Sequence, residues 1–312
     1  MKKIITVTLN PAFDLHYAMK SLEVGGENYV TRASCNAAGK GVNISRALRA
    51  YGTNSTAYLI LGDENGAQFE KMLSADGICY VPLYVKGRVR ENITVHPEKD
   101  KETRISLDNF AIASGVLDEL YALLENELDK DTLLSFSGRI PRGVTKDEVI
   151  AFLGRVKASG ARLAVDCNSL SANDLEAIRP WFIKPNEDEI AALVGRRVSD
   201  AEDAAEVACE LVQKGASEQV LISLGSKGAA WSNGVERAVV SPPRIEHPRS
   251  TVGAGDSAVA GYLAGALAED AVGHSLRLAI AFGTAACLTE GTDPPRAEDV
   301  KRIYEEVKVT TF

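Results

Sequence analysis

Along most of this chain, short apolar runs alternate with segments of helical period, and no other property of the sequence restricts the fold as strongly. Apolar runs lie at residues 4–9, 57–61, 133–136, 162–165 and 220–223, most of them bounded by Gly, Asp or Asn. Between them, apolar residues recur at helical spacing over about 66–75, 116–128, 146–159 and 201–214. Gly39-Lys40-Gly41 opens a further helix whose apolar side includes Val42, Ala47 and Leu48. A strand that reads as one apolar run is covered on both faces, and strands separated by helices return to pair in parallel. The expected fold class is therefore α/β, with a mainly parallel central sheet covered on both faces. Ligands then belong beyond the carboxyl ends of its strands.

Two stretches break this rhythm, at about 14–33 and 88–107; in the second, Val89-Arg90-Glu91-Asn92-Ile93-Thr94-Val95 alternates at period two. They are expected to form a small sheet outside the main one. A chain of 312 residues suits one large α/β domain, 1–312, carrying such an accessory element, because single cores stop growing near ~250–300 residues.

Composition removes several function classes. Lys plus Arg number 35 against 43 Asp plus Glu, a net charge of −8, so no broad basic face exists for nucleic acid or an anionic membrane. The N-terminal apolar run is short, broken by threonines and ended by Pro11, which reads as a strand and not a signal peptide. Cys35, Cys79, Cys167, Cys209 and Cys287 are scattered without a C-x-x-C pair and read as buried thiols of a reducing cytoplasm. His16, His96, His247 and His274 show no ligand spacing for a structural zinc.

The chemistry is carried by Ser250-Thr251-Val252-Gly253-Ala254-Gly255-Asp256-Ser257, a carboxylate placed after a Gly-x-Gly turn and ahead of an apolar helical run. Unpaired N–H groups at a helix start receive a transferring phosphoryl group, and the helix dipole favours the same charge. The N–H groups of Ala254, Gly255 and Asp256 are expected to form that anion hole, with Asp256 as the base that takes a proton from the acceptor hydroxyl. Gly253-x-Gly255-x-x-Ala258 also fits a dinucleotide fingerprint. That motif should follow a strand and carry an acid at the end of a second strand, whereas Pro248-Arg249-Ser250 precedes it and a helical stretch follows.

Other segments fit a phosphate chemistry less specifically. Asn36-Ala37-Ala38-Gly39-Lys40-Gly41-Val42-Asn43 sets a lysine between glycines at a helix start, without the upstream glycine or hydroxyl of a Walker A loop. Ser137-Gly138-Arg139 follows an apolar strand, and Arg139, Arg90 and Lys40 are candidates for a cationic pocket around a phosphate already on the substrate. In Lys184-Pro185-Asn186-Glu187-Asp188-Glu189, Asn186 and Glu189 share a face of a starting helix. They suit either water around Mg2+ on nucleotide phosphates or a plain capping box. Ser223-Leu224-Gly225-Ser226-Lys227-Gly228 turns sharply after a strand and is either a nucleotide loop or a hairpin turn.

In their order along the chain these motifs resemble the phosphofructokinase B family of ribokinase-like carbohydrate kinases, and the resemblance spans nearly the whole sequence. It implies a three-layer αβα fold with a small β-sheet lid, ATP and Mg2+ as cofactors, and a homodimer through the lid. Thr8-Leu9-Asn10-Pro11-Ala12-Phe13-Asp14 is similar to that family's opening, in which Asp14 would hold sugar hydroxyls. Gly39, Lys40 and Asn43 match its substrate loop, and Asn186 with Glu189 its N-x-x-E motif. Lys184, Asn186, Ser223, Gly225, Gly228 and Thr251 would then face the nucleotide. The Asn-Pro-Ala opening, Arg90 and the segment from Ser137 to Pro141 resemble the branch acting on phosphorylated ketohexoses. Phosphorylation of fructose 1-phosphate is the expected reaction. Tagatose 6-phosphate, fructose 6-phosphate, an unphosphorylated sugar or inositol, and a catalytically silent sugar-phosphate sensor are the alternatives. Two positions depart from the pattern: Ala38 replaces a usual glycine, and Arg139 replaces a small residue and brings a long cation.

Overall fold

A computed structural model describes residues 2–98, 101–107, 110–268 and 271–312. The chain opens with β1 (Lys3–Thr8), β2 (Ala12–Met19), β3 (Arg32–Ala38), α1 (Lys40–Tyr51), β4 (Thr56–Gly62), α2 (Gly66–Ala75), β5 (Cys79–Val85), β6 (Arg90–Pro97) and β7 (Thr103–Ser106). It continues with α3 (Val116–Leu124), β8 (Thr132–Ser137), α4 (Lys146–Ala158), β9 (Arg162–Asp166), α5 (Ala172–Ile178), β10 (Phe182–Ile183), α6 (Glu187–Val194), α7 (Ala201–Gln213) and β11 (Val220–Ser223). A hairpin of β12 (Ala229–Ser232) and β13 (Arg237–Ser241) precedes α8 (Ala254–Ala268), α9 (Val272–Ala286), α10 (Ala297–Glu306) and β14 (Lys308–Thr311).

The main sheet has ten strands in the order β14-β13-β12-β11-β10-β9-β8-β1-β4-β5. From β11 to β5 every neighbour is parallel, and β12, β13 and β14 extend one edge antiparallel. Side chains of a strand alternate between faces, and the two cores divide accordingly. Ile5, Leu134, Leu163, Ile183 and Ile222 join the core covered by α2, α3, α4 and α7. Their neighbours Ile4, Leu133, Ala164, Phe182 and Leu221 join the core under α1, α8, α9 and α10. The expected three-layer arrangement is therefore present.

A second, four-stranded sheet has the order β3-β2-β6-β7. The expected accessory stretches supply it with shifted limits: β2 begins before residue 14, and β3 runs on to Ala38 while the exposed, Gly-containing segment 20–31 carries no strand. Residues 99 and 100 of the second stretch lie outside the described residues. Sequence reading also missed β5, β12, β13, β14, α5 and α10, and the long helix expected at 116–128 ends at Leu124 in a short 3-10 turn. The expectation of buried thiols is corrected: all five cysteines are free, but Cys79 is exposed and the others are only half-buried.

α8 is apolar on all sides because it lies between the sheet and α9, so small residues set how close the helices come. A Cβ on Gly261 would overlap the backbone carbonyl of Leu278 in α9. Gly261→Ala is expected to destabilise the protein by about 1–3 kcal/mol, since backbone must shift to relieve the overlap. Gly273→Ala, with open space around its Cβ position, should not. Urea midpoints of the two variants check this; equal midpoints would show that the helix contact tolerates a methyl group.

Candidate active site

The carboxyl ends of β1, β9 and β10 converge on the start of α8, and each contributes a buried polar residue. α1 can begin there because Gly39 takes a positive φ of 135° and, like Gly41, presses against Thr8 where a side chain would collide. This close approach puts Asn43, in the first turn of α1, within reach of α8: its Nδ2 donates to Asp256 Oδ2 at 2.8 Å. Lys40 at the same helix start lies 3.2 Å from Asp166 Oδ1 at the end of β9 and 3.9 Å from Glu189 Oε1. Lys184, buried after β10, sets its ammonium 3.3 Å from the point a Cβ on Gly255 would occupy.

Two lysines thus stand among three carboxylates. Burial pushes the Asp256 carboxyl up to about 6, and the like charge of Asp166 pushes the same way; the Asn43 hydrogen bond, Lys40 and Lys184 oppose them. For Lys40, burial alone would lower the affinity for its proton. Asp166, Asp256 and Glu189 outweigh it and hold the ammonium above its ordinary range. Gly255 and Asp256 lie in the first turn of α8, where backbone N–H groups have no intrahelical acceptor. Ala254 N–H already leans on Thr251 O at 3.4 Å.

Ser250 to Asp256 forms the partition between two cavities. A cleft of about 970 Å³ on one side holds Ala254, Gly255, Asp256, Lys40 and Asp166. It is also lined by Lys184, Asn186, Ser223, Gly225, Gly228 and Thr251, the complete set expected to face a nucleotide. A cleft of about 420 Å³ on the other side lies under the small sheet and holds Asp14, Ser250, Val252 and Thr292. Asp14 is buried in β2, and its Oδ1 accepts from Asn92 Nδ2 at 2.7 Å across the parallel β2–β6 pair.

The cations expected to share one phosphate pocket face different partners. Lys40 turns to Asp166, Arg90 donates to Asn92 Oδ1 at 3.0 Å, and Arg139 is exposed beyond β8. Ser137 is buried with its hydroxyl 2.8 Å from that of Ser135, and Gly138, at φ 111°, donates its N–H to the Asp166 carbonyl. Asn186 and Glu189 form a complete capping box: Asn186 Oδ1 accepts from the N–H groups of Asp188 and Glu189, and Glu189 accepts from Asn186 N–H.

Sequence reasoning missed Asp166 and Asn92. Asp166 directly follows an apolar run at the ligand-binding edge, and Asn92 shares the alternating face of Arg90, so both left a trace. Thr8 Oγ1, Asn43 Oδ1 and Thr292 Oγ1 are buried without a partner among the described residues. Buried polar atoms are rarely left so, and their grouping around Asp256 and Asp14 marks a place for a polar ligand.

Comparison with known proteins agrees with this geometry. The chain is 30 % identical over 285 residues, 91 % of each protein, to 1-phosphofructokinase of Escherichia coli K12. It is also 30 % identical over 310 residues, 97 % of this chain and 98 % of the relative, to ATP-dependent 6-phosphofructokinase isozyme 2 of the same organism. The crystal structure of phosphofructokinase-2 from Escherichia coli in complex with potassium superposes with a TM-score of 0.91 at 27 % identity, covering 98 % of this chain and 99 % of that one. Residues 7–299 match the model of the pfkB family carbohydrate kinases, and with a kinase-like partition between two clefts the chain belongs to that family.

Proposed function

We propose that this protein transfers the γ-phosphoryl group of ATP to a hydroxyl of fructose 1-phosphate, giving fructose 1,6-bisphosphate and ADP. The observation that carries this reading is the buried Asp256 carboxylate at the start of α8, on the wall between a nucleotide-sized cleft and the Asp14 cleft. Asp256 takes the proton of the acceptor hydroxyl as that oxygen bonds to the γ-phosphorus, and the bond to the β-phosphate oxygen breaks. The N–H groups of Gly255 and Asp256, with Lys184 beside them, stabilise the charge of the group in transit. Asp14, oriented by Asn92 and Arg90, holds sugar hydroxyls. Relatives named 1-phosphofructokinase support fructose 1-phosphate as the acceptor. A 6-phosphofructokinase at the same identity supports fructose 6-phosphate as the second reading.

Mg2+ belongs to this reading as a companion of the nucleotide. Among the described residues no three His, Cys, Asp or Glu side chains converge on one point. Mg2+ keeps several waters and takes one or two carboxylates beside substrate phosphates, and Asp166, Asp188 and Glu189 line the nucleotide cleft to receive such waters. Bound there, the ion neutralises charge on the phosphates. A cytoplasmic site of action is part of the same proposal and rests on the five free cysteines.

ADP release from Mg-ATP should respond to fructose 1-phosphate above fructose 6-phosphate, tagatose 6-phosphate, fructose and inositol. Silence with every acceptor would sink the kinase reading and favour a sensor. Asp256→Asn should lower kcat by about 10²–10⁴, and wild-type kcat should fall as pH drops below about 6, where the carboxyl takes up a proton. The stability effect has the opposite sense. The folded carboxyl titrates above its unfolded value of 3.8, so its contribution is full below 3.8 and lost as pH rises through about 6. Urea midpoints against pH should carry that slope in wild type and lack it in Asp256→Asn.

A homodimer through the small sheet is part of the same proposal. Its edge strand β7 is exposed along its length and carries Ile105, with Leu107 just after it; Val24 and Tyr29, in the segment that leads into the opposite edge strand β3, are exposed as well. Ile105→Asp should shift the sedimenting species from dimer to monomer; a wild-type monomer at micromolar concentration would remove the dimer from the reading.

A further inference from the structure

The cleft under the small sheet contains a chain of titratable groups that phosphoryl transfer, as described, leaves unused. His96 Nδ1 lies 3.2 Å from Glu102 Oε2, and His96 Nε2 lies 2.9 Å from His16 Nδ1. The two imidazoles are nearly parallel, with centroids 5.2 Å apart. The far end of the chain, His16 Nε2, is buried and has no partner among the described residues. His16 follows Asp14 by two residues on β2 and therefore shares its face. Its register partners Ser34 and Thr94 line the same cleft. Across the cleft, Gly291 closes over the ring, with the point of a Cβ 3.4 Å from Nε2.

We infer that His16, oriented by His96 and Glu102, determines acceptor specificity by donating a hydrogen bond from Nε2 to the phosphate that the acceptor sugar already carries. The inference rests on the phosphosugar kinase reading above. It follows from counting protons along the chain. An ionised Glu102 accepts from His96 Nδ1–H, which leaves His96 Nε2 a lone pair when the imidazole pair holds no extra proton. His16 must then donate from Nδ1, and its Nε2 presents a lone pair that repels a phosphate oxygen. With one further proton His96 donates from both nitrogens, His16 accepts at Nδ1, and His16 Nε2 becomes a donor. One proton thus reverses the hydrogen-bonding sense of Nε2, a buried atom of a residue that lines the cleft.

The charged groups around the cleft nearly balance, three arginines against four carboxylates, and the phosphate is taken as ligand from the phosphosugar reading. On the small sheet, Asp14, Arg32, His96, Glu102 and Arg104 face the chain; from the body, Arg249, Glu290 and Asp293 do. Glu290 lies 3.8 Å from Arg32 and 3.5 Å from Arg249, tying the sheet to the segment before the anion hole. Burial disfavours the imidazolium of His16 most. Asp14 and Glu102 favour it, and His96 and Arg104 oppose it; on balance its proton affinity is lowered. The acceptor state of Nε2 therefore prevails without ligand. A phosphate brings the negative charge that draws a proton onto the pair, so binding and protonation favour each other.

The test compares KM and kcat for the phosphosugar that wild type turns over, from about pH 5.5 to 8.5, in wild type, His16→Ala, His16→Gln and Glu102→Gln. His16→Ala should raise KM about tenfold at low pH, the size of one charge-assisted hydrogen bond, with the effect on KM and not on kcat. The amide of Gln donates at every pH from near the place of Nε2. The ratio of wild-type to His16→Gln KM should therefore climb as pH rises and the imidazole pair loses its proton. The substrate's own second phosphate ionisation, near about 6, enters both enzymes and cancels in that ratio. Glu102→Gln should move the wild-type transition to lower pH. A flat ratio, or an unaltered KM in His16→Ala, overturns the inference. So does a ratio that falls with pH, which would make Nε2 an acceptor for a sugar hydroxyl. If His16→Ala does not fold, the Gln variants decide alone. If wild type turns over no phosphosugar, the phosphosugar reading fails, and calorimetric binding of fructose 1-phosphate, fructose and inorganic phosphate decides. Binding of fructose 1-phosphate that exceeds both and loses its pH dependence in His16→Gln upholds the role of His16; equal or absent binding ends it.

Discussion

An ionised carboxylate at a buried position is costly, and the arrangement of the active site answers that cost at Asp256. Its proton affinity is raised by lost solvation and by Asp166, while Asn43, Lys40 and Lys184 return part of the lost stabilisation, which the proposed role as a base near neutral pH requires. Those three groups come from α1 and from the end of β10, elements far apart in sequence. They meet because parallel strands deliver all their carboxyl ends to one edge. Moving α1 away from β1 would strand the carboxylate, which is why Thr8 and two glycines fix that contact at close range.

The same constraint explains the unequal faces of the small sheet. Period-two alternation sends Asp14, His16 and Asn92 to one face and Phe13 and Leu15 to the other. Phe13 belongs to the main core and Leu15 packs against it, so β2 is anchored by its apolar residues while its polar ones overhang the acceptor cleft. A one-residue slip in the pairing of β2 with β6 would exchange these faces. The Asn92 to Asp14 hydrogen bond and the burial of Phe13 therefore hold the register jointly.

Much of this was legible in the sequence because it is local. The alternation of apolar runs with helical periods gave the parallel sheet, and the Gly-x-Gly-Asp turn placed Asp256 at a helix start. The weaker patterns were misjudged: β3, whose limits were shifted, is Arg-Ala-Ser-Cys-Asn-Ala-Ala, small and polar for a strand, while β12 and β13 form a hairpin with no helix between them and β14 joins the same antiparallel edge only after three helices. Side-chain partnership is long-range and was not legible. Lys40, Arg90 and Arg139 look equivalent as charges in a sequence, yet Asp166 lies 126 positions from Lys40 and claims it, while Asn92 engages Arg90. Asn186 and Glu189 fit two readings for a physical reason. A helix start that caps itself with a carboxylate also turns that carboxylate toward the cleft where phosphates would lie.

The unsatisfied atoms bear on selectivity. A buried polar atom without a partner costs about 1–3 kcal/mol. Among the described residues, His16 and Thr292 carry such atoms in the acceptor cleft, and Thr8 and Asn43 carry them where α1 meets β1. A ligand that supplies their hydrogen bonds removes that cost, whereas an analogue lacking the matching groups leaves it in place and must also desolvate the cleft. Sites of this kind reject near-analogues far more strongly than apolar pockets do. The nucleotide cleft differs: the backbone of glycine turns and the Pro242-Pro243 segment contribute much of its lining. In the proposed reaction, discrimination between acceptors would accordingly be built into the Asp14 side of the partition, and the phosphoryl donor side would rely on charge and shape.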